Sequence, residues 1–321
     1  MHSFKQLLQQ FDSKFGIRHF PSEPATLYDS SQYILTIGGK RVRPVMCLMG
    51  NELFDNINPD TWHVATAIEL FHNFSLIHDD IMDKAPLRRG MPTVHIKFGE
   101  STALLAGDVM LIMCYEYLNK INELYKKRIL SLFNKTALEV SEGQQLDMDY
   151  EKAKAIGLND CLRMIELKTS VLLGASLKMG AIMGGGSERN VNHLYEFGRN
   201  LGIAFQLQDD YLDAFGDPDK FGKQVGGDII ANKKTFLLLH TLEVASEKIK
   251  KELLQLIENN PADKVERVLS IMRACKADEW ARQLKEKYVE KAMGHLEEIA
   301  VISKRKEPLK ELAQFLIQRD H

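Results

Sequence analysis

A short acidic pattern occurs twice in the chain, each time at the end of a long apolar run. Asp79-Asp80-Ile81-Met82-Asp83 follows Trp62, Ala65, Ile68, Leu70, Phe71, Phe74 and Ile77, which recur mostly at three- and four-residue steps. Asp209-Asp210-Tyr211-Leu212-Asp213 closes a second run that begins near Asn190. That spacing is one face of an α-helix. Asp79 and Asp83 therefore share a side of their helix, as do Asp209 and Asp213, with Asp80 and Asp210 one step round. Carboxylates so placed repel, at a cost of a few tenths of a kcal/mol per like-charge pair. A chain that keeps two such clusters must fold helically around them and must bring them counter-charge. Divalent cations supply it, and magnesium suits best, because it is held by one or two carboxylates plus substrate phosphates.

The rest of the chain agrees with a helical fold. Only 9 of 321 residues are proline, and strand-type alternation is scarce. Periodicity predicts further helices over 101–119, 127–142, 158–183, 190–213, 233–245 and 278–302, with a last segment at 309–318. The breaks are local: Gly38-Gly39, the stretch holding Pro86, Gly90 and Pro92, the turn Gly184-Gly185-Gly186, and a glycine loop over 216–227. No Ser/Gly-rich linker divides the chain, so a single all-α domain spanning 1–321 is expected. Lys and Arg number 42 against 44 Asp and Glu, a net charge of −2, which argues against a nucleic-acid partner. An apolar fraction of 45% excludes a disordered chain. Cys47, Cys114, Cys161 and Cys275 are too scattered for a redox or zinc motif and are expected to be reduced. With neither a secretory h-region nor an uncharged run of about 18 apolar residues, a cytoplasmic protein without an integral membrane segment is expected.

Cations flank the acid clusters. Lys40, Arg41 and Arg43 follow the paired glycines, and Arg88 and Arg89 follow the first cluster. Lys168-Thr169 lies in an otherwise apolar helix, Lys223 lies in the glycine loop, and Lys233-Lys234 are expected to open the next helix. Arginine forks and lysine ammonium groups are the usual partners of phosphate oxygens. Two acid clusters with these cations suit a substrate pair carrying two diphosphates, one bound through metal and one bound directly.

The chain resembles the all-trans isoprenyl diphosphate synthases, the polyprenyl synthetase family. The blocks that carry the resemblance run in order: GGKRVRP at 38–44, FHNFSLIHDDIMD at 71–83, LRRG at 87–90 and LKTS at 167–170. FQLQDDYLDAFGD at 205–217 and GKQVGGDIIANKKT at 222–235 complete them. The resemblance implies an antiparallel helix bundle around a deep central cavity, usually a homodimer. It implies isopentenyl diphosphate and an allylic diphosphate (dimethylallyl, geranyl or farnesyl) as substrates. Asp79, Asp80, Asp83, Asp209, Asp210 and Asp213 would hold three magnesium ions on the allylic diphosphate. Lys40, Arg43, His72 and Arg89 match residues that bind isopentenyl diphosphate. Arg88, Lys168, Thr169, Gln206, Lys223 and Lys233 match residues facing the allylic diphosphate, with Lys233 preferred to Lys234 because it follows Asn232.

The same likeness implies ionisation, condensation and elimination to a C15 or C20 all-trans product. Each added isoprene unit buries roughly 3–4 kcal/mol of apolar surface at about 0.8 per methylene, so termination has to be steric. Phe71, Phe74 and Ser75, one to two turns before Asp79, are the candidate chain-length residues; Phe74 is bulky and Ser75 is small. Two rivals share some features. A class I terpene cyclase would carry one DDxxD and no isopentenyl site, and a non-catalytic partner subunit would have lost motif aspartates. The tail Gln318-Arg319-Asp320-His321 is a further candidate for closing the site.

Overall fold

A computed structural model describes residues 1–153, 155–217 and 225–317. Lys223 and the tail 318–321 lie outside the described residues. The chain forms two compact units. The first holds Met1–Asn134, Ala175–Tyr195 and Ala300–Pro308; the second holds Lys135–Gly174, Glu196–Ile299 and Leu309–His321. The expectation of an all-α fold holds: among the described residues the only strands are Leu87–Arg88 and Met91–Pro92, paired antiparallel with Arg88 opposite Met91.

The first unit opens with α1 (Phe4–Phe15). Ser3 caps it reciprocally, its hydroxyl accepting from the Gln6 N–H while the Gln6 side chain accepts from the Ser3 N–H. Helices α2 (Ala25–Thr36), α3 (Val42–Glu52) and α4 (Thr61–Met82) follow. After the strand pair come α5 (Val94–Phe98), α6 (Glu100–Asn119) and the first part of α7 (Glu123–Lys152). Helix α4 packs against both α3 and α6. Its residues from Val64 to Phe71 are consequently buried almost all round, which is why its apolar face is so wide. Helix α6 carries Leu104, Leu105, Ile112 and Tyr115 exposed. By length and composition it is apolar enough to cross a membrane, although only 33% of its most apolar window is buried inside the protein.

Two glycines set how closely α3 meets α9 (Val171–Met183). A Cβ on Gly180 would lie 1.8 Å from the Cys47 carbonyl oxygen, and one on Gly50 would lie 2.4 Å from that of Leu177. The backbones touch where side chains would otherwise keep them apart.

The second unit is built from the remainder of α7, α8 (Leu158–Ile165), most of α10 (Glu188–Phe215) and the short α11 (Gly227–Ile230). Helices α12 (Phe236–Val244), α13 (Glu247–Asn259), α14 (Lys264–Ala274) and α15 (Ala277–Glu297) complete it with the end of α16 (Ser303–Ile317). Ile165, Leu207, Phe236, Leu253, Val268 and Ala277 belong to its core.

The helix expected over 127–142 is longer, running Glu123–Lys152, and three other boundaries move for a local reason. The helix expected over 158–183 is interrupted by a π-helical turn, Glu166–Ser170, that joins α8 to α9. Lys233 and Lys234 precede their helix instead of opening it. Asn232 is left-handed (φ 57), and the Thr235 hydroxyl caps α12 by accepting from the Leu238 N–H. The helix expected over 278–302 ends at Glu297, and a separate one starts at Ser303.

Gly180→Ala should destabilise the protein by about 1–3 kcal/mol, because the new methyl group forces α3 away from α9. Denaturant unfolding should show a lower midpoint at an unchanged slope.

Candidate active site

In the first unit, α4 delivers the first acid cluster and runs through it to Met82. Asp80 is 2% exposed. Arg88, at the strand pair, grips it with a two-pronged fork, Nε to Oδ2 and Nη2 to Oδ1 both at 2.8 Å. Both Asp80 oxygens are thus engaged by a cation, whereas Asp83 lies exposed at the helix end. Two turns back, His72 of α4 faces a cationic cradle formed by Arg43 of α3 and Arg89 of the strand pair's turn. Arg43 Nη1 donates to His72 Nε2 at 3.2 Å, and Arg89 donates to the Gly38 carbonyl. Burial and the arginines 43, 89, 88 and 41 push the His72 imidazole well below its usual range, so it is neutral and accepts at Nε2. Burial, with Arg89 adding to it, brings Arg43 down to about 10, which still leaves it charged at neutral pH.

The cradle rests on Arg41, one of the cations after the paired glycines, and on two residues that the sequence reading passed over. Arg41, left-handed at φ 48, donates to Glu69 Oε1 at 2.5 Å and to the Leu35 carbonyl at 3.0 Å. The Asn73 amide also donates to Glu69, at 3.0 Å. Glu69 and Asn73 sit inside the apolar run of α4, and the only sign of them in the sequence is that they are polar where core residues are expected. Lys40 is exposed beside this loop.

Phe71 and Phe74 prove unequal. Phe71 is 2% exposed and packs edge-on to Phe133 at 5.3 Å, as a core residue does. Phe74 is half-buried and meets the His78 ring at 4.8 Å. Ser75 is half-buried too, its hydroxyl donating to the His72 carbonyl.

In the second unit a cavity of about 140 Å³ is lined by Lys168, Thr169, Gln206, Asp210 and Lys233, together with Asp147 and Asp228. Lys168 and Thr169 lie in the π turn, where the widened backbone turns both side chains into the cavity. Helix α7 approaches this turn so closely that a Cβ on Gly143 would sit 2.3 Å from the Lys168 nitrogen. Lys168 Nζ donates to Asp147 at 2.6 Å. Thr169 Oγ1 donates to Gln206 Oε1 at 3.4 Å, and Gln206 Nε2 donates to Asp210 at 2.8 Å. Lys233 Nζ lies 3.2 Å from Asp228 Oδ1, while Lys234 Nζ donates to the Tyr150 and Glu151 carbonyls at 2.9 Å each. Of the two lysines, Lys233 therefore faces the acids and Lys234 ties down the end of α7. Asp213 accepts from the Asp228 N–H at 2.9 Å. Asp147 and Asp228 escaped the sequence reading because neither belongs to a DDxxD pattern.

Burial pushes the Asp210 carboxyl up to about 7, with Asp228 and Asp209 adding to the rise and Gln206 and Lys233 opposing it. A buried carboxyl whose pKa is raised, with further acids beside it, is what a hard divalent cation would fit. Among the described residues no three His, Cys, Asp or Glu side chains form a ready-made cation cage. A magnesium ion here would take its remaining oxygens from substrate and water, as it usually does.

Because the Asp210 pKa in the folded protein lies above its unfolded value of 3.8, its proton stabilises the fold at low pH, and that contribution is lost as pH rises from about 4 to about 7. In metal-free protein the loss should be of the order of 4 kcal/mol, visible as a falling melting temperature that Asp210→Asn flattens.

The profile of the polyprenyl synthetases matches residues 24–274. The chain is 39% identical over 315 residues to the geranylgeranyl diphosphate synthase of Saccharolobus solfataricus, covering 95% of this chain and 94% of that one. It is 38% identical over 300 residues to the short chain isoprenyl diphosphate synthase of Methanothermobacter thermautotrophicus, covering 93% and 92%. The crystal structure of geranylgeranyl pyrophosphate synthetase from Pyrococcus horikoshii superposes with a TM-score of 0.92 at 35% identity, over 98% of both chains. With the motif blocks, the fold and these relatives in agreement, the chain belongs to the polyprenyl synthetase family.

Proposed function

We propose that the protein is a short-chain trans-prenyltransferase that condenses isopentenyl diphosphate with dimethylallyl, geranyl or farnesyl diphosphate to an all-trans C15 or C20 product, with C20 the main one. The observation that carries the reading is the cavity where Lys168, Thr169, Gln206 and Lys233 converge beside Asp210. The kinship to geranylgeranyl diphosphate synthases favours C20 over C15.

The chemistry follows from the residues. The allylic carbon–oxygen bond breaks, the isopentenyl double bond attacks the cation, and a proton leaves to restore an alkene. Magnesium, three ions per site, would be held by Asp79, Asp83, Asp209, Asp210 and Asp213 together with the diphosphate, and would neutralise charge on that leaving group. Asp80, engaged by Arg88, would orient the arginine toward phosphate oxygens. Lys168 and Lys233 supply fixed positive charge where the diphosphate departs, and Lys223, outside the described residues, would add to it. Thr169 and Gln206 present oxygens that stabilise the allylic cation, and exclusion of water keeps that cation from hydrolysis. Lys40, Arg43, Arg89 and neutral His72 bind the isopentenyl diphosphate, and the departed diphosphate takes the proton.

The whole chain is proposed to act as one synthetase domain and to pair into a homodimer. The exposed apolar face of α6, with Leu104, Leu105, Ile112 and Tyr115, is the surface such pairing would cover.

A labelled isopentenyl diphosphate assay with magnesium and C5, C10 and C15 primers, resolved by product length, tests the reading. A C20 end point is expected, and absence of condensation with every primer overturns it. Lys233→Met should lower kcat by at least a hundredfold, from loss of charge at the leaving group. Phe74→Ala should lengthen the main product by one or more isoprene units, whereas Phe71→Ala should chiefly lower stability, by about 3–5 kcal/mol.

A further inference from the structure

We propose that Lys264, outside every motif block, is a positioning residue that sets the Asp228–Lys233 pair in the second-unit cavity. This rests on the prenyltransferase reading and extends it to a residue beyond the cavity wall.

Lys264 opens α14 and is only 3% exposed. Lysines are rarely buried without a counter-ion, and a cation at a helix N-terminus opposes the helix dipole. Among the described residues no carboxylate compensates it; burial alone displaces its pKa, downward. Its ammonium donates instead to three neutral oxygens: Asn232 Oδ1 at 2.5 Å, Asn260 Oδ1 at 3.2 Å and the Ile230 carbonyl at 3.5 Å. Three donors thus meet three acceptors.

Both asparagines are left-handed, at φ 57 and φ 46. Asn260 caps α13, so Lys264 ties the segment that ends at Asn232 to the end of a packed helix. The next residue grips the other end of that segment. Gly226 is left-handed at φ 83, and a Cβ there would lie 2.5 Å from Val265 Cγ1.

The segment held between these two grips carries the chemistry on its opposite side. The Gly226 N–H donates to the Asp213 carbonyl at 2.6 Å, and the Asp228 N–H donates to the Asp213 carboxylate at 2.9 Å. Lys233 follows Asn232 directly and reaches back to Asp228, its backbone N–H donating to the Asp228 carbonyl at 2.9 Å. The left-handed turn at Asn232 sets the direction in which Lys233 leaves. By fixing that turn, Lys264 fixes the cation against the acids.

Lys264→Met keeps much of the volume and removes the donors, and Lys264→Arg restores a donating cation. Titration calorimetry with magnesium and inorganic diphosphate reads the site without turnover. Lys264→Met is expected to weaken diphosphate binding about tenfold and to raise the KM for allylic diphosphate similarly. The KM for isopentenyl diphosphate should stay within twofold, and Lys264→Arg should recover most of the loss. Asn232→Gly keeps the left-handed backbone and removes the acceptor, so it should reproduce the defect. The double variant should be no worse than either single one, since both cut one link. If Lys264→Met does not fold, Asn232→Gly carries the same expectation. A folded variant with unchanged diphosphate affinity, or equal losses in both KM values that track a lower melting temperature, overturns the proposal. Should wild-type protein fail to condense any primer while Lys264→Met still loses diphosphate affinity, the positioning role stands and the synthase reading falls.

Discussion

Six carboxylates crowded onto two helix ends set the electrostatic problem that the neighbouring side chains solve. Partial burial weakens solvent screening, so each additional negative charge costs more than it would in water. The two clusters answer differently although their sequences match. Asp80 receives a full guanidinium fork from Arg88. Among the described residues Asp210 receives the neutral Gln206 amide at hydrogen-bond distance, with Lys233 farther off, and its pKa rises to about 7. In the first cluster the buried Asp80 is neutralised by a permanent cation. The second is neutralised in part by a proton, which a metal ion can displace.

The cavity lysines are also engaged in advance, with acids that do not belong to the DDxxD patterns. Lys168 is held by Asp147 and Lys233 by Asp228. A long flexible cation held in place loses less freedom when phosphate arrives, and it needs no reorganisation as charge builds on the leaving group. The backbone contributes to the same end. The π turn aims Lys168 and Thr169 together, and left-handed Arg41, Arg89 and Asn232 stand where the chain must bend sharply to deliver Arg43, Arg88 and Lys233. Non-glycine residues in that region carry strain that surrounding contacts must hold. Arg41 is held by Glu69 and Leu35, and Asn232 by Lys264.

What the sequence disclosed and what it hid divide along a physical line. Period and duplication are properties of neighbouring residues, so the helical fold, the two clusters and their flanking cations were legible. The π turn at 166–170 was not, because an i→i+5 turn leaves the apolar periodicity of Leu167, Val171 and Leu172 almost unchanged. Asp147, Glu69 and Lys264 were hidden because their importance comes from partners 21, 28 and 32 residues away. Lys233 and Lys234 read alike as adjacent cations. Only the fold shows that one faces acids and the other caps the carbonyl end of α7.

The proposed role of Phe74 in product length would extend a determinant well beyond its motif. Burying successive isoprene units is favourable at every step, so only a wall that cannot move will stop elongation. Phe74 would be a soft wall alone, since a half-buried ring can turn aside. Its ring is backed by His78, whose Nε2 lies 3.2 Å from the Leu104 carbonyl. The imidazole occupies the space over Gly107 where a Cβ would come within 2.2 Å of Nε2. A bare glycine on α6 therefore lets His78 seat fully, and a seated His78 holds Phe74 in place. In the proposed role of Phe74, the stiffness of the wall would belong to three residues on two helices, and any side chain at 107 would displace His78 from behind the ring.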